Sequence, residues 1–271
     1  MEIKDKNKVK LALDILMALI FAILFDKNAL GGITFHEVAG LAIGAFIIIH
    51  MVLNKEWLKV VTKKIFNKTL PARTRAAYIV DVLLLTAIAV IIITGILMSK
   101  VVFADILSVH LNVSGLHKAI SYIALMLIGI HLGLSWNRVV AIVKKLLKLP
   151  KKRVLSAIAA AFAIAVFSLG SYNIVSTGYF SKVTTIASGY SERGEISGEN
   201  VPAAFGQGNG NQQHNGSDSG KMNGGGGHGS ENVLTIIYEN LSIMAAFAVF
   251  AYYIDKLIHI KPKKRITEVT A

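Results

Sequence analysis

The chain contains no cysteine and only four prolines in 271 residues. The missing cysteine excludes disulfides, cysteine-ligated iron–sulfur clusters and covalent haem attachment through C-x-x-C-H. Charge is also scarce. Asp, Glu, Lys and Arg together make up 17% of the residues, and the 16 acidic ones are outnumbered by 29 Lys and Arg. No ten-residue runs alternate between apolar and polar residues, so a transmembrane β-barrel is excluded. The apolar stretch behind "MEIKDKNKVK" could serve as a signal peptide. However, "FDKNALGGIT" after it offers no A-x-A-like site, and an uncleaved helix is expected.

What is present is apolar. Hydrophobic residues account for 54% of the chain and the mean hydropathy is +0.56, values that belong to membrane proteins. Six segments are long enough to cross about 30 Å of hydrocarbon. They lie near Val9–Phe25, Thr34–Leu53, Tyr78–Met98, Leu116–Trp136, Val154–Val175 and Val233–Ile260. Lipid offers no partner to backbone N–H and C=O groups, so each should be a helix. The expected fold is all-α, a polytopic bundle of six transmembrane helices with a four-helix core and two further helices.

The formal charge of +13 suggests nucleic acid until its distribution is considered. Four stretches carry 23 of the 29 basic residues: the first ten residues, "NKEWLKVVTKKIFNKTLPARTRAA", "NRVVAIVKKLLKLPKKR" and the tail from Asp255. All four fall on one side if six helices alternate. By the positive-inside rule that side is cytoplasmic, with both termini on it. The expected location is a prokaryotic cell membrane. Membrane lipid is then the partner of the basic residues, and no nucleic acid is expected.

Four regions follow. Residues 1–140 hold the four-helix core, and 141–175 a basic cytoplasmic loop and the fifth helix. Residues 176–232 form an extracytoplasmic loop, and 233–271 the sixth helix and basic tail. The loop is Gly-, Asn-, Gln- and Ser-rich in its later half, too polar to offset the entropy of ordering, and is expected to be flexible.

The second and fourth helices share an unusual pattern. "HEVAGLAIGAFIIIH" runs from His36 to His50, and "HKAISYIALMLIGIH" from His117 to His131. Both pairs are 14 positions apart, roughly 21 Å along a helix and within about 40° of the same face. The two helices run in the same direction, so His36 and His117 share the outer level, and His50 and His131 the inner. Each level thus receives one imidazole from each of two helices. Zinc needs three or four protein ligands at one level, whereas haem iron needs only two axial ligands. Gly40, Gly44, Ala39, Ser121, Ala124 and Gly129 leave room for a macrocycle or for close backbone contact. A single intramembrane histidine is ordinarily a hydrogen-bonded packing residue. Two pairs at equal spacing and matched depth point instead to two haem b groups.

The paired spacing resembles that of the cytochrome b subunit of respiratory quinol-oxidising complexes. The wording of "HEVAGLAIGAFIIIHMVLNKEW" and "LHKAISYIALMLIGIHLGLSW" is more similar to the flavinylation-associated cytochromes, small membrane dihaem proteins. The resemblance covers residues 9 to 140. It implies electron transfer across the membrane toward an extracytoplasmic flavoprotein carrying covalent FMN, with another redox protein or a quinone as further candidate partners. No covalent flavin is expected on this chain, because "DSGKMNGG" lacks Thr and "VTTIASG" has the wrong order for an acceptor.

Other residues are candidates of lower rank. His110 rivals His117 as the outer ligand, although it precedes Gly115 and should lie in a loop. Glu37 could orient a ligand or relay a proton, with a plain interface carboxylate as the alternative. Asp14, Asp81 and Glu239 are intramembrane carboxylates, functional by default or simply solvated near the interface. His214 and His228 fall in the polar loop and carry no expected chemistry. No catalytic residues are assigned: the chain reads as an electron-transfer component. Two rival classes stand beside it, a proton- or ion-coupled transporter using the histidines and a non-catalytic membrane subunit. Against transport, no helix is broken at its centre by Pro or paired Gly.

Overall fold

The computed structural model describes residues 3–67, 70–104, 113–147, 153–184 and 232–258. His110, His214, His228, most of the 176–232 loop and the tail after Ile258 lie outside the described residues.

Every regular element among the described residues is helical. The long helices are α1 (Ile3–Ile23), α2 (Ile33–Leu53), α4 (Ala72–Leu97), α5 (Ser114–Leu147), α6 (Arg153–Ser176) and α7 (Val233–Ile258), with a short α3 (Lys55–Lys64) after α2. Five of them, α2 and α4 to α7, are long and apolar enough to cross a membrane. The chain is a multi-pass helical membrane protein. Helix α1 begins at Ile3, ahead of the apolar segment expected from Val9, and with four lysines and an aspartate in its first eight residues it is not among the five. The α1–α2 turn runs through Gly31 and Gly32 at φ +126° and +74°, where a side chain would be strained.

Lipid-facing surface is evident from exposed apolar side chains along the long helices, such as Ile48, Ile93, Phe162 and Ile164. The interior is equally apolar. Phe21, Ile43, Ala87, Ile88, Ala124, Leu125, Ile243 and Met244 form one buried cluster contributed by α1, α2, α4, α5 and α7. Helix α7 therefore belongs to the same core as the first four long helices. Its closeness to α5 depends on glycine: a Cβ on Gly129 would lie 2.5 Å from the Met244 carbonyl oxygen and 2.7 Å from Phe247 Cβ. Of the sequence's two alternatives for Gly129, close backbone contact is the one found.

Polar ties fix the helices at their ends. Asn240 on α7 donates to the Ala22 carbonyl of α1 (3.3 Å), and Asn173 on α6 donates to Ser242 on α7 (2.7 Å). At the basic end Arg73 Nε lies 3.1 Å from Asp255, and its Nη2 donates to the Leu134 carbonyl at 2.8 Å. One guanidinium thus joins α4, α5 and α7 while neutralising a buried carboxylate. Trp57 on α3 lies under the Arg138 guanidinium at 5.9 Å, linking the segments that follow the two histidine helices.

Candidate functional site

Helix α2 packs against α1 and α4, while α5 packs against α4 and α7; α2 and α5 hardly meet. The histidine-bearing helices are therefore held beside each other by neighbours. Midway between the histidines of each helix, Ile43 on α2 and Ala124 and Leu125 on α5 are buried together with Ala87 and Ile88 on α4.

At the first level, that of His36 and His117, the two rings come together. Their centroids are 6.1 Å apart and their planes are inclined by 56°. Two metal–imidazole bonds of about 2 Å each, with the two ring half-widths, add to a centroid separation of about 6 Å. The spacing leaves room for one metal ion between two imidazoles and equally matches an ordinary ring–ring contact. His117 Nδ1 lies 3.0 Å from the Thr94 hydroxyl, which itself donates to the Val90 carbonyl at 2.7 Å. A hydroxyl has one proton, so toward His117 its oxygen is the acceptor. Nδ1 then carries the ring proton and Nε2 the lone pair, an assignment made from the hydrogen-bond network. His36 Nδ1 is buried and makes no hydrogen bond, although the Leu24 carbonyl faces the ring. Leaving a buried polar atom unpaired costs about 1–3 kcal/mol; His50 Nδ1 and Arg75 Nε are likewise buried without a hydrogen bond.

These two histidines line a cleft of about 910 Å³ between the ends of α1 and α4 and the starts of α2 and α5. That volume falls within the range of about 300–1,000 Å³ common for cofactor sites. The lining is largely apolar (Phe21, Phe25, Leu41, Ile91, Ile92, Tyr122) and includes Gly40 and Gly95. A Cβ on Gly40 would meet nothing within 4 Å, so space opens directly beside α2 there. Gly44, one turn on, is packed against Ile92. Three lysines, Lys27, Lys100 and Lys118, stand on the lining together with Asp26 and Glu37.

Both carboxylates have partners. Asp26 accepts from the Asn28 backbone N–H at 2.9 Å. Glu37 accepts from Ser99 Oγ (2.7 Å) and from the backbone N–H groups of Lys100 (2.7 Å), Val101 (3.2 Å) and Val102 (2.9 Å). Successive N–H groups converging on one carboxylate form an anion nest. Glu37 thus ties the start of α2 to the end of α4 and holds one wall of the cleft. It does this beside His36 but not through it.

At the second level no ring contact joins His50 and His131. Each instead meets a carboxylate from the helix alongside. His131 Nδ1 is 2.5 Å from Asp81 Oδ1 on α4. His50 Nδ1 is 2.7 Å from Asp14 Oδ1 on α1, close but off the hydrogen-bond axis. The Asn54 amide lies 3.3 Å from His50 Nε2 and donates to the His50 carbonyl at 2.9 Å, while Lys10 donates to its oxygen at 2.9 Å. An amide donor at Nε2 again puts the lone pair on Nε2 and the proton on Nδ1.

The four histidines thus follow one scheme, in which α1 flanks those of α2 and α4 flanks those of α5. Asp14 and Asp81 stand out in the sequence as isolated charges within apolar runs, and the structure gives both a specific partner. Thr94 and Asn54 went unnoticed. Thr94 is the only polar residue in "AVIIITGIL", and Asn54 is four residues after His50, one helical turn along the same face; those were the available signals. Among the described residues no group of three or more His, Cys, Asp or Glu converges on a common point.

Comparison with known proteins finds no matching family model, no matching curated protein and no matching solved structure.

Proposed function

We propose that the chain is a dihaem b-type cytochrome that carries electrons across the membrane. In this reading all six long helices span the bilayer, with both termini on the basic, cytoplasmic side. His36 and His117 are the axial ligands of one haem, and His50 and His131 those of the other. The observation that carries the proposal is the 6.1 Å separation of the His36 and His117 rings, set in an apolar cleft. The residues at the first level suit the group: two imidazoles in contact, a glycine-bordered space, and lysines placed to meet its carboxylates. At the second level iron would take the lone pair that the Asn54 amide holds in this structure. Bound haem supplies a one-electron couple, and with both axial positions filled by protein it favours electron transfer over oxygen binding.

The chain's own residues do the rest. Thr94 and Asp81 fix the orientation and tautomer of the α5 rings and Asn54 that of His50, the buried apolar cluster lies between the histidines of each helix, and Glu37 holds the cleft wall. A partner flavoprotein on the extracytoplasmic side and a quinone or cytoplasmic donor fit the resemblance of the α2 and α5 motifs. The test is a visible spectrum of the purified chain. A b-type absorbance on reduction is expected, and a colourless preparation from haem-supplied cells would overturn the proposal.

One observation favours a second reading. Two His–Asp pairs within the long helices are also what a proton relay would use, so a proton-coupled transporter predicts the same contacts. It predicts no bound haem, and the same spectrum separates the two.

A further inference from the structure

We infer that α3 and the end of α5 form a binding site for the head groups of anionic phospholipids, with Lys55, Lys59 and Lys63 as its main contacts. The site does not depend on what the histidines hold.

Helix α3 is two-sided in a way that the long apolar helices are not. At about 100° per residue, Lys55, Lys59 and Lys63 fall within about 80° of one another, and all three are exposed. Trp57, Leu58 and Val61 take the other side, where Val61 is buried. Only Asn54 separates the helix from the end of α2, so α3 begins where a membrane-spanning helix stops. Thr62 donates to the Tyr78 hydroxyl at 3.1 Å, which holds α3 against the beginning of α4. The helix therefore lies at the membrane boundary with its apolar side taken up by the protein. What it turns to the head groups is the lysine row, flanked by the exposed apolar side chains of Val60 and Phe66.

Charge complementarity names the ligand. Other basic residues at this end are satisfied within the protein: Lys10 by Asn54, Arg73 by Asp255 and the Leu134 carbonyl, and Arg75 by the carbonyls of Asn67 and Leu70. The lysines of α3 are not. Lys59 lies 3.9 Å from Glu56, an exposed pair that contributes little. Among the described residues the ammonium groups of Lys55 and Lys63 make no ion pair or hydrogen bond. Helix α5 adds to the surplus. Its 34 residues span about 51 Å, about 20 Å more than the hydrocarbon, and Arg138, Lys144 and Lys145 are exposed towards its end. The Arg138 guanidinium lies 5.9 Å over the Trp57 ring and sets this basic end beside α3. Against these six cations α3 and the end of α5 carry one acid, Glu56. At head-group depth that surplus favours phosphodiesters of net negative charge over zwitterionic ones. Val60 and Phe66 favour a lipid over a soluble anion, because the acyl boundary accepts apolar side chains.

The test is quenching of Trp57 fluorescence by lipid in the purified full-length chain, with Trp136, the second of its two tryptophans, changed by Trp136→Phe. The chain is placed in nanodiscs of rising content of brominated phosphatidylglycerol or of brominated phosphatidylcholine. Half-quenching should need about fivefold less of the anionic lipid, the effect of about one lysine at an anionic surface. Lys55→Gln, Lys59→Gln and Lys63→Gln together should bring the two curves into coincidence. Lys27→Gln, Lys100→Gln and Lys118→Gln together, at the opposite end, should leave them apart. Glu56→Gln removes the one acid and should widen the gap; it decides if the α3 triple variant fails to fold. Equal quenching by the two lipids in the parent, or a gap that survives loss of the three α3 lysines, would overturn the inference. So would a gap that excess inorganic phosphate closes, since the site would then take the free anion. The comparison of lipids is the same with or without bound haem, so failure here leaves the proposed function standing.

Discussion

The two histidine levels carry the same ligand types at the same helical spacing, yet their surroundings differ. Around His36 and His117 the protein supplies a roomy cleft, a hydroxyl, three lysines and acids already engaged by backbone N–H groups. Around His50 and His131 it supplies two aspartates in contact with the rings and an amide at one of them. In the proposed reading the histidines would hold the group, and their neighbours would set how it behaves. Asp14, Asp81 and Thr94 come from α1 and α4, which carry none of the four histidines.

The largest expected effect comes from breaking either level alone. His36→Ala or His117→Ala should reduce the haem content from two per chain to one, and so should His50→Ala or His131→Ala. The levels are roughly 21 Å apart along the helices, with a buried apolar cluster between them, so the surviving haem should be the one at the untouched level. Haem extraction with protein quantification measures this; loss of both haems from every variant would show that the levels are not independent.

Two glycine substitutions sharpen the contrast between cleft and packing. At Gly129 a Cβ would press on the Met244 carbonyl and on Phe247, so Gly129→Ala should destabilise the α5–α7 seam by about 1–3 kcal/mol. At Gly40 a Cβ meets nothing within 4 Å, so Gly40→Ala should leave thermal stability unchanged, whereas Gly40→Trp should fill the cleft and lower haem content at the His36–His117 level only. Thermal unfolding and haem content check both. Equal destabilisation by the two alanines would contradict the packing described for α5 and α7.

Removing the carboxylate in Glu37→Ala should release Ser99 and three backbone N–H groups at the end of α4. Those N–H groups are near solvent, so the cost should be on the order of 1 kcal/mol, with faster haem loss from the His36–His117 level and none from the other. The smallest effect is expected from Thr94→Val. It removes one neutral partner of His117 and should shift the potential at that level far less than Asp81→Asn shifts the other. A larger shift for Thr94→Val would contradict the greater weight of a carboxylate over a hydroxyl beside the ring.

Much of this was legible in the sequence because hydropathy and helical periodicity are one-dimensional. The six apolar segments were found as helices, and of the two histidine pairs expected from the 14-residue spacing His36 and His117 come into ring contact. The rest depends on contacts between segments far apart in the chain. Thr94 reaches His117 across 23 positions and Glu37 reaches Lys100 across 63. No local pattern encodes such pairings. Asp14 and Asp81 were visible as misplaced charges, but only helix packing shows that they meet imidazoles rather than solvent. The amphipathic α3 was overlooked because its lysines made it look like loop, and α1 starts at Ile3, ahead of the apolar segment read from Val9.

The most direct measurement is the number of haem groups per polypeptide in the purified full-length chain, read together with the reduced spectrum before and after carbon monoxide. The account predicts two haems b per chain and a spectrum that carbon monoxide leaves unchanged, because protein imidazoles fill both axial positions of each iron. A chain that binds no haem, or haem that takes up carbon monoxide stoichiometrically, would contradict it.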